Sequence, residues 1–427
     1  MLVMPSGAPG PLDARLSADH RRVVVLDDAP TGTQSVSDVD VILEPSRPHF
    51  DAFFASDERS LYVLTNTRAL TRAAATAHLR RVVDLIDEAA RRAGVAWLAI
   101  LRGDSTLRGH VFAEADVLGA RYAVLLFVPA FPEGGRVTVD GAQLVEIEGR
   151  LRNAADTEFA ADPTFGYTSR DLVSWVAEVG DGRQARMVAL QAIRDRGSAA
   201  IAEALESGPA GSVVIPEAET DDDLRRVALG LLDAEARGAT VVIRSASTFA
   251  AVRAGLVARR LEAAPGQRPG RILIVCGSYT AASTAQLATL TARGWPITEV
   301  GPDTQVEPLV AVVQARLESD GLAIVATARS RSDDGSLRSG ATVMDRLTDV
   351  VDRLRDVVDA VIAKGGITSA SSAIALGAQV ARVEGQLAPG IALWSLRLGG
   401  GRSIPYVVIP GNVGGPDAIA DVLDRLR

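Results

Sequence analysis

The feature that most constrains this chain is a recurring unit. A short run of apolar, β-branched residues stops at a polar loop, and helical periodicity then takes over. "RRVVVLDDAPTGTQ" ends such a run in two acids and a Pro/Gly turn, and "SLYVLTNTRAL" repeats the form. "TRAAATAHLRRVVDLIDEAARRAG" spaces its apolar residues for a helix closed by Gly94. "VAWLAIL" and "YAVLLFVPAF" are apolar throughout, as strands covered on both faces must be. Between them "RGDSTLRGHVFAEADVLGA" reads as a loop and then a helix, and "GSVVIPEA" and "ATVVIRSAS" add further strand–loop units. Strands alternating with helices predict an α/β fold with a mostly parallel, doubly wound sheet. Such sheets bind ligands beyond the carboxyl ends of their strands.

At 427 residues the chain exceeds one ordinary core, so two domains are expected. The Pro/Gly-rich "LEAAPGQRPGR" (261–271) precedes a fresh strand, "RILIVCGS". The division predicted is a flexible tail over 1–20, a first domain over 21–262, a linker at 263–270 and a second domain over 271–427. The second half repeats the alternation: "LAIVATARS", a charged loop, a helix "MDRLTDVVDRLRDVVDAV", then "IAKGGITSASSAIALGA" and "IPYVVIPGNVGG".

Several classes are disfavoured. A net charge of −8 lacks the basic footprint of a nucleic-acid binder. No apolar run has bilayer length, and "MLVMPSGAPGPLDARLSADH" lacks the pattern of a secretory signal, so a cytoplasmic location without a membrane partner is expected. Cys276 is the only cysteine, which excludes an internal disulfide and a cysteine zinc cage. His20, His49, His78 and His110 are scattered without metal-ligand spacing, and the metal ligands are left unassigned. There is no P-loop, G-x-G-x-x-G fingerprint, G-x-S-x-G elbow or protein-kinase signature set.

The unusual residues gather at predicted strand ends. Asp27 and Asp28 suit hydroxyl binding, proton acceptance or metal holding, or else cap a turn. In "LRGDSTLRGH", Arg102 and Arg108 are forks for a carboxylate or phosphate, and Ser105 and Thr106 match sugar hydroxyls. Asp104 stands ready to orient or deprotonate one of those hydroxyls, with Gly103 beside it. The bland reading of this stretch is an Asp/Ser-capped helix with solvated arginines. Arg68 in "TNTR" adds another cation. "FVPAFPEGGRVTVDG" sets Glu133 and Arg136 in either a rigid turn or a substrate contact.

In the second half, Gly277 and Ser278 follow one strand, Lys364, Gly365, Gly366, Ile367, Thr368 and Ser369 another, and Gly411 to Gly415, with Asn412, a third. Three Gly-rich turns after strands suit phosphate, because glycine lets backbone approach a ligand and helix N-termini favour anions. Lys364 is the one lysine among 45 basic residues and is read as a phosphate contact, with a solvated lysine as the alternative.

The motifs "LDDAPTGTQSV", "TNTRAL", "GDSTLRGH", "PAFPEGGR", "TEFAADPTFGY", "CGSYTAASTAQ", "AKGGITS" and "PGNVGG" resemble, in order, those of the four-carbon acid sugar kinase family, from Val23 to Gly415. That family includes threonate, erythronate and 3-oxo-tetronate kinases. The resemblance implies an N-terminal domain for the sugar acid, a C-terminal domain for ATP and a reaction in the cleft between them. Carried over by motif, substrate contacts fall on Asp27, Asp28, Arg68 and Arg102 to Ser105, and nucleotide contacts on Ser278, Gly365 to Thr368 and Gly411. The chain departs from many members at Arg102 (Lys), Ile367 (Glu or Asp), Val413 (aromatic) and Thr33 (Ala), as a divergent "DDxPTGTQ" branch would.

The expected reaction is transfer of a phosphoryl group from ATP, with Mg²⁺ on its phosphates, to an acid-sugar hydroxyl. Either Asp28 or Asp104 takes the proton. Kinases for another sugar or sugar acid, and a non-catalytic sensor of a sugar acid or nucleotide, are the alternatives. A homodimer would be unsurprising for such a family.

Overall fold

The computed structural model describes residues 10–329 and 337–427. They divide into two compact units. One holds the chain up to Asp28 together with Ser46–Val257, and the other holds Ala29–Pro45 and Ala258–Arg427. Each is a mostly parallel sheet flanked by helices.

In the first unit the strands lie in the order Ser60–Leu64, Arg22–Asp27, Trp97–Arg102, Val241–Ser245, Val124–Val128, Val213–Pro216, Ala185–Val188, all parallel. The strands inside that order are buried on both faces, which is why their sequences show apolar runs rather than alternation. The helix Arg72–Ala93 turns Leu79, Val82 and Ile86 to the core; Thr71 accepts from the Ala74 amide at its start, and Gly94, at φ 66°, ends it.

A second, antiparallel sheet (Arg136–Val139, Ala142–Ile147, Arg150–Asn153) was not expected from the sequence. Its hairpins turn at Asp140–Gly141 and Glu148–Gly149, where both residues of each pair have φ between 50° and 74°. That is the conformation that Asp-Gly favours between paired strands.

In the second unit the order is Ile297–Val300, Leu322–Thr327, Ile272–Cys276, Ala360–Lys364, Ser403–Ile409, Ile391–Arg397, Val380–Ala388, Val39–Ile42. The first five are parallel and the rest antiparallel.

Three expectations change. Within the segment expected as a tail, Pro11–Ala18 is a helix with Leu12 buried, and Asp13 pairs with Arg225 at 3.1 Å; residues 1–9 lie outside the described residues. Residues 29–45, assigned from the sequence to the first domain, belong to the second unit. There Val39–Ile42 pairs with Val380–Ala388, and Trp394 Nε1 donates to Thr33 Oγ1 at 3.0 Å. The helix expected through "MDRLTDVVDRLRDVVDAV" stops at Arg353 and gives way to the strand Ala360–Lys364. Past Arg353 the Leu354, Arg355 and Val357 amides bond the carbonyls of Val351, Asp352 and Leu354, the tighter three-residue spacing in which helices end. Among the described residues no helix is long and apolar enough to cross a membrane.

Candidate active site

Parallel register brings the carboxyl ends of the first unit's central strands level: Asp27 stands opposite Leu64 and Arg102, and Arg102 opposite Ser245. Arg102 was expected to clamp a ligand. It is instead turned inward, 4% exposed, donating from Nη1 to Asp27 Oδ1 at 2.9 Å and from Nη2 to Ser247 Oγ at 3.2 Å. Its Nη1 also lies 3.7 Å from Asp28 Oδ1.

Arg244, which the sequence reading passed over, donates to Asp28 Oδ2 at 3.2 Å and to Glu114 Oε2, and is 1% exposed. Burying a carboxylate costs several kcal/mol unless it is paired. Here two guanidiniums, each able to serve two acceptors, are interleaved with three buried carboxylates. Gly103 is part of the same packing, because Arg244 lies where its side chain would be: a Cβ there would stand 2.6 Å from Arg244 Cζ. Asp28 Oδ1 makes no hydrogen bond among the described residues.

A second layer is more accessible. The Asp104, Arg68 and Arg108 side chains are 13%, 22% and 26% exposed, so a ligand can meet these before the buried set. Asp104 Oδ2 accepts from Thr106 Oγ1 and from Arg108 Nε at 2.7 Å, and Arg68 Nη1 lies 3.4 Å from Oδ1. Burial pushes the Asp104 carboxyl up, but the guanidiniums of Arg108 and Arg68 and these hydrogen bonds outweigh it and hold it well below the usual carboxylate range. Arg108 also lies 4.9 Å over the Phe159 ring.

The loop carrying these groups is tied by its carbonyls. Gln143 Nε2 donates to Ser105 O at 2.8 Å, and Tyr167 OH to Thr106 O at 3.2 Å. No helix begins within it: the next starts at Val111 without a side-chain cap, which removes the capped-helix reading. "PEGGR" forms a turn at Pro132–Gly134, with Glu133 exposed and Arg136 Nη1 donating to the Gly134 carbonyl.

In the second unit Cys276, Lys364 and Ile409 are register neighbours, and the loops that follow them leave the sheet side by side. Glycine permits their approach. A Cβ on Gly277 would strike Thr368 Oγ1, one on Gly411 would stand 2.9 Å from Ser278 Oγ, and one on Gly365, at φ 114°, 3.0 Å from Thr368 Oγ1. Gly366 opens the helix Gly366–Ala375, and Thr280 caps Ala281–Ala292, so two helix N-termini begin at these loops. Ile367 is half exposed and Asn412 exposed.

Lys364, expected beside phosphate, is 0% exposed and donates inward to the carbonyls of Pro410 and Val413. Burial pushes its pKa down to about 8. Among the described residues no three His, Cys, Asp or Glu side chains are grouped to hold a metal.

Residues 23–253 match a family described as a sugar-binding N-terminal domain, and residues 273–419 one described as a nucleotide-binding C-terminal domain. The chain belongs to the four-carbon acid sugar kinase family, whose architecture is this pair of domains. No curated protein matches it in sequence. Among solved structures, a Haemophilus influenzae protein of the DUF1537 family is 16% identical with a TM-score of 0.64, over 95% of this chain and 100% of its own. A Salmonella typhimurium LT2 protein, described as a candidate tRNA synthase, is 16% identical with a TM-score of 0.68, over 96% of this chain and 99% of its own. At such identity these likenesses concern the fold alone.

Proposed function

We propose that this chain is an ATP-dependent kinase acting on a hydroxyl of a four-carbon sugar acid such as threonate, erythronate or a 3-oxo-tetronate. The observation that carries the reading is the accessible Arg68–Asp104–Arg108 layer laid over the buried Asp27–Arg102 and Asp28–Arg244 pairs in the sugar-binding unit. Two cations beside one anion suit a small carboxylate carrying hydroxyls better than a neutral sugar.

In this reading Arg68 and Arg108 take the acid's carboxylate, and Asp104 and Ser105 its hydroxyls. Arg102 and Gly103 act indirectly, by keeping the two aspartates and Arg244 in place. Asp28 is the proton acceptor. Its Oδ1 keeps an unused acceptor site, whereas the oxygens of Asp104 are taken up by Thr106, Arg108 and Arg68.

On the second unit, Ser278, Gly365, Gly366, Ile367, Thr368, Gly411 and Asn412 receive ATP. Mg²⁺ bound with the nucleotide supplies charge neutralisation at its phosphates. The protein's own contribution is alignment and fixed positive charge, the main demands of phosphoryl transfer. An ADP-release assay over a panel of four-carbon acids and neutral sugars tests this. Turnover confined to acids supports the reading, and turnover confined to neutral sugars removes the need for the two arginines and overturns it.

A further inference from the structure

The loop following Ser403–Ile409 is gripped by its carbonyls. Lys364 Nζ donates to Pro410 O at 2.8 Å and to Val413 O at 2.9 Å. Gln286 Nε2, on the helix Ala281–Ala292, reaches Val413 O at 3.2 Å and Gly414 O and Gly415 O at 3.0 Å each. Thr280 and Ser283 donate to Gly411 O at 2.6 and 3.3 Å. A planar trans peptide sends its N–H opposite to its C=O. With these carbonyls drawn inward, the amides of Gly411, Asn412, Gly414 and Gly415 are turned the other way. Those four donate no hydrogen bond among the described residues, while Val413 N closes onto Pro410 O at 3.2 Å. Asn412, Gly414 and Gly415 are exposed. Backbone amides without partners are donors an anion can take.

Lys364 and Gln286 are both 0% exposed. A buried ammonium is costly, and a guanidinium fork would not fit between two carbonyls that a compact point charge spans. The titratable neighbour facing Lys364 is Cys276 on the adjoining strand, a thiol pushed up by burial, with Arg329 Nη2 3.3 Å from its sulfur. We propose that Lys364 and Gln286 are positioning residues: by holding the loop 410–415 from within, they present the amides of Gly411, Asn412, Gly414 and Gly415 to the phosphates of a nucleotide. The proposal rests on the nucleotide-binding reading of this unit and assigns the work of phosphate contact to backbone rather than to the lysine.

The test uses the full chain with ADP as the probe. Calorimetry on Lys364→Met and Gln286→Met should show ADP affinity reduced by about tenfold or more, the scale of losing charge-assisted or multiple hydrogen bonds. Threonate affinity should stay within about twofold, as expected for a site on the other unit. Hydrogen exchange on the unmodified chain should show the amides of Gly411, Asn412, Gly414 and Gly415 exchanging freely and becoming protected on adding ADP. A folded variant that binds ADP like the parent, or those four amides unmoved by bound ADP, overturns the proposal. If Lys364→Met does not fold, Gln286→Met and the exchange measurement still decide. Failure of the unmodified chain to bind ADP at all strikes instead at the nucleotide reading.

Discussion

Gly103 lies against the guanidinium of Arg244, so that a Cβ on residue 103 would stand 2.6 Å from both Cζ and Nε. The far end of an arginine usually yields to such a contact, but this one is 1% exposed and pinned between Asp28 and Glu114. Gly103→Ala should therefore destabilise the first unit by about 1–3 kcal/mol, the usual cost of overpacking. Arg244→Met takes the cation from buried Glu114, leaves Asp28 only the longer contact to Arg102, and should cost about 3–5 kcal/mol. Denaturant unfolding measures both, and a neutral Gly103→Ala would mean that Arg244 is not held as described.

Removing the accessible arginines should act on substrate binding. Arg108→Ala and Arg68→Ala are each expected to raise KM for the acid by about 10-fold or more, as loss of a charge-assisted contact does, with ATP KM little changed. Asp28→Asn should behave differently, lowering kcat by about 10²–10⁴-fold, the contribution of a positioned base. Steady-state kinetics separates the two patterns. Full turnover in Asp28→Asn would take the base assignment away from that residue.

The acid side of the stability profile follows from Asp104. Its carboxyl is held below its ordinary value in the folded state, so its contribution is complete above the unfolded carboxylate pKa and is lost as pH falls toward the folded one. The stability difference between the parent and Asp104→Asn should be flat from about pH 7 to 5 and shrink below about pH 4. Unfolding curves at stepped pH report it, and a difference that grows on acidification would contradict the pairing with Arg68 and Arg108.

Lys364 has the opposite sense. Its folded pKa, about 8, lies below its ordinary value of 10.5, so between those values the unfolded chain binds more protons and stability rises with pH. Relative to Lys364→Met, the parent should gain stability across that window. Because Cys276 faces Lys364 and is coupled to it, both proteins carry Cys276→Ala in this comparison. A flat difference would mean that the ammonium is not desolvated.

Much of the fold was legible because its signals are local. Apolar runs gave the parallel strands, and Thr71 and Gly94 bracket the long helix as their capping chemistry demands. The exchange of residues 29–45 into the second unit was not legible, since it depends on pairing Val39–Ile42 with a strand far along the chain. The site was read by residue type and misread by direction. Arg102, Arg244 and Lys364 each interrupt or end an apolar, doubly covered strand, and a charge in that position must find a buried partner. That signal was present in "WLAILR", "VVIRS" and "AVIAK" and points inward, whereas Arg68 and Arg108, on loops, keep partial exposure.

The most direct trial of the account is to incubate the full chain with ATP, Mg²⁺ and a four-carbon sugar acid and to look for the phosphorylated acid by mass spectrometry. One added phosphate per acid molecule is expected, formed with ADP in equal amount and about 10-fold slower in Arg108→Ala at low acid concentration. ADP appearing at the same rate with and without acid, with no phosphorylated acid formed, would contradict it.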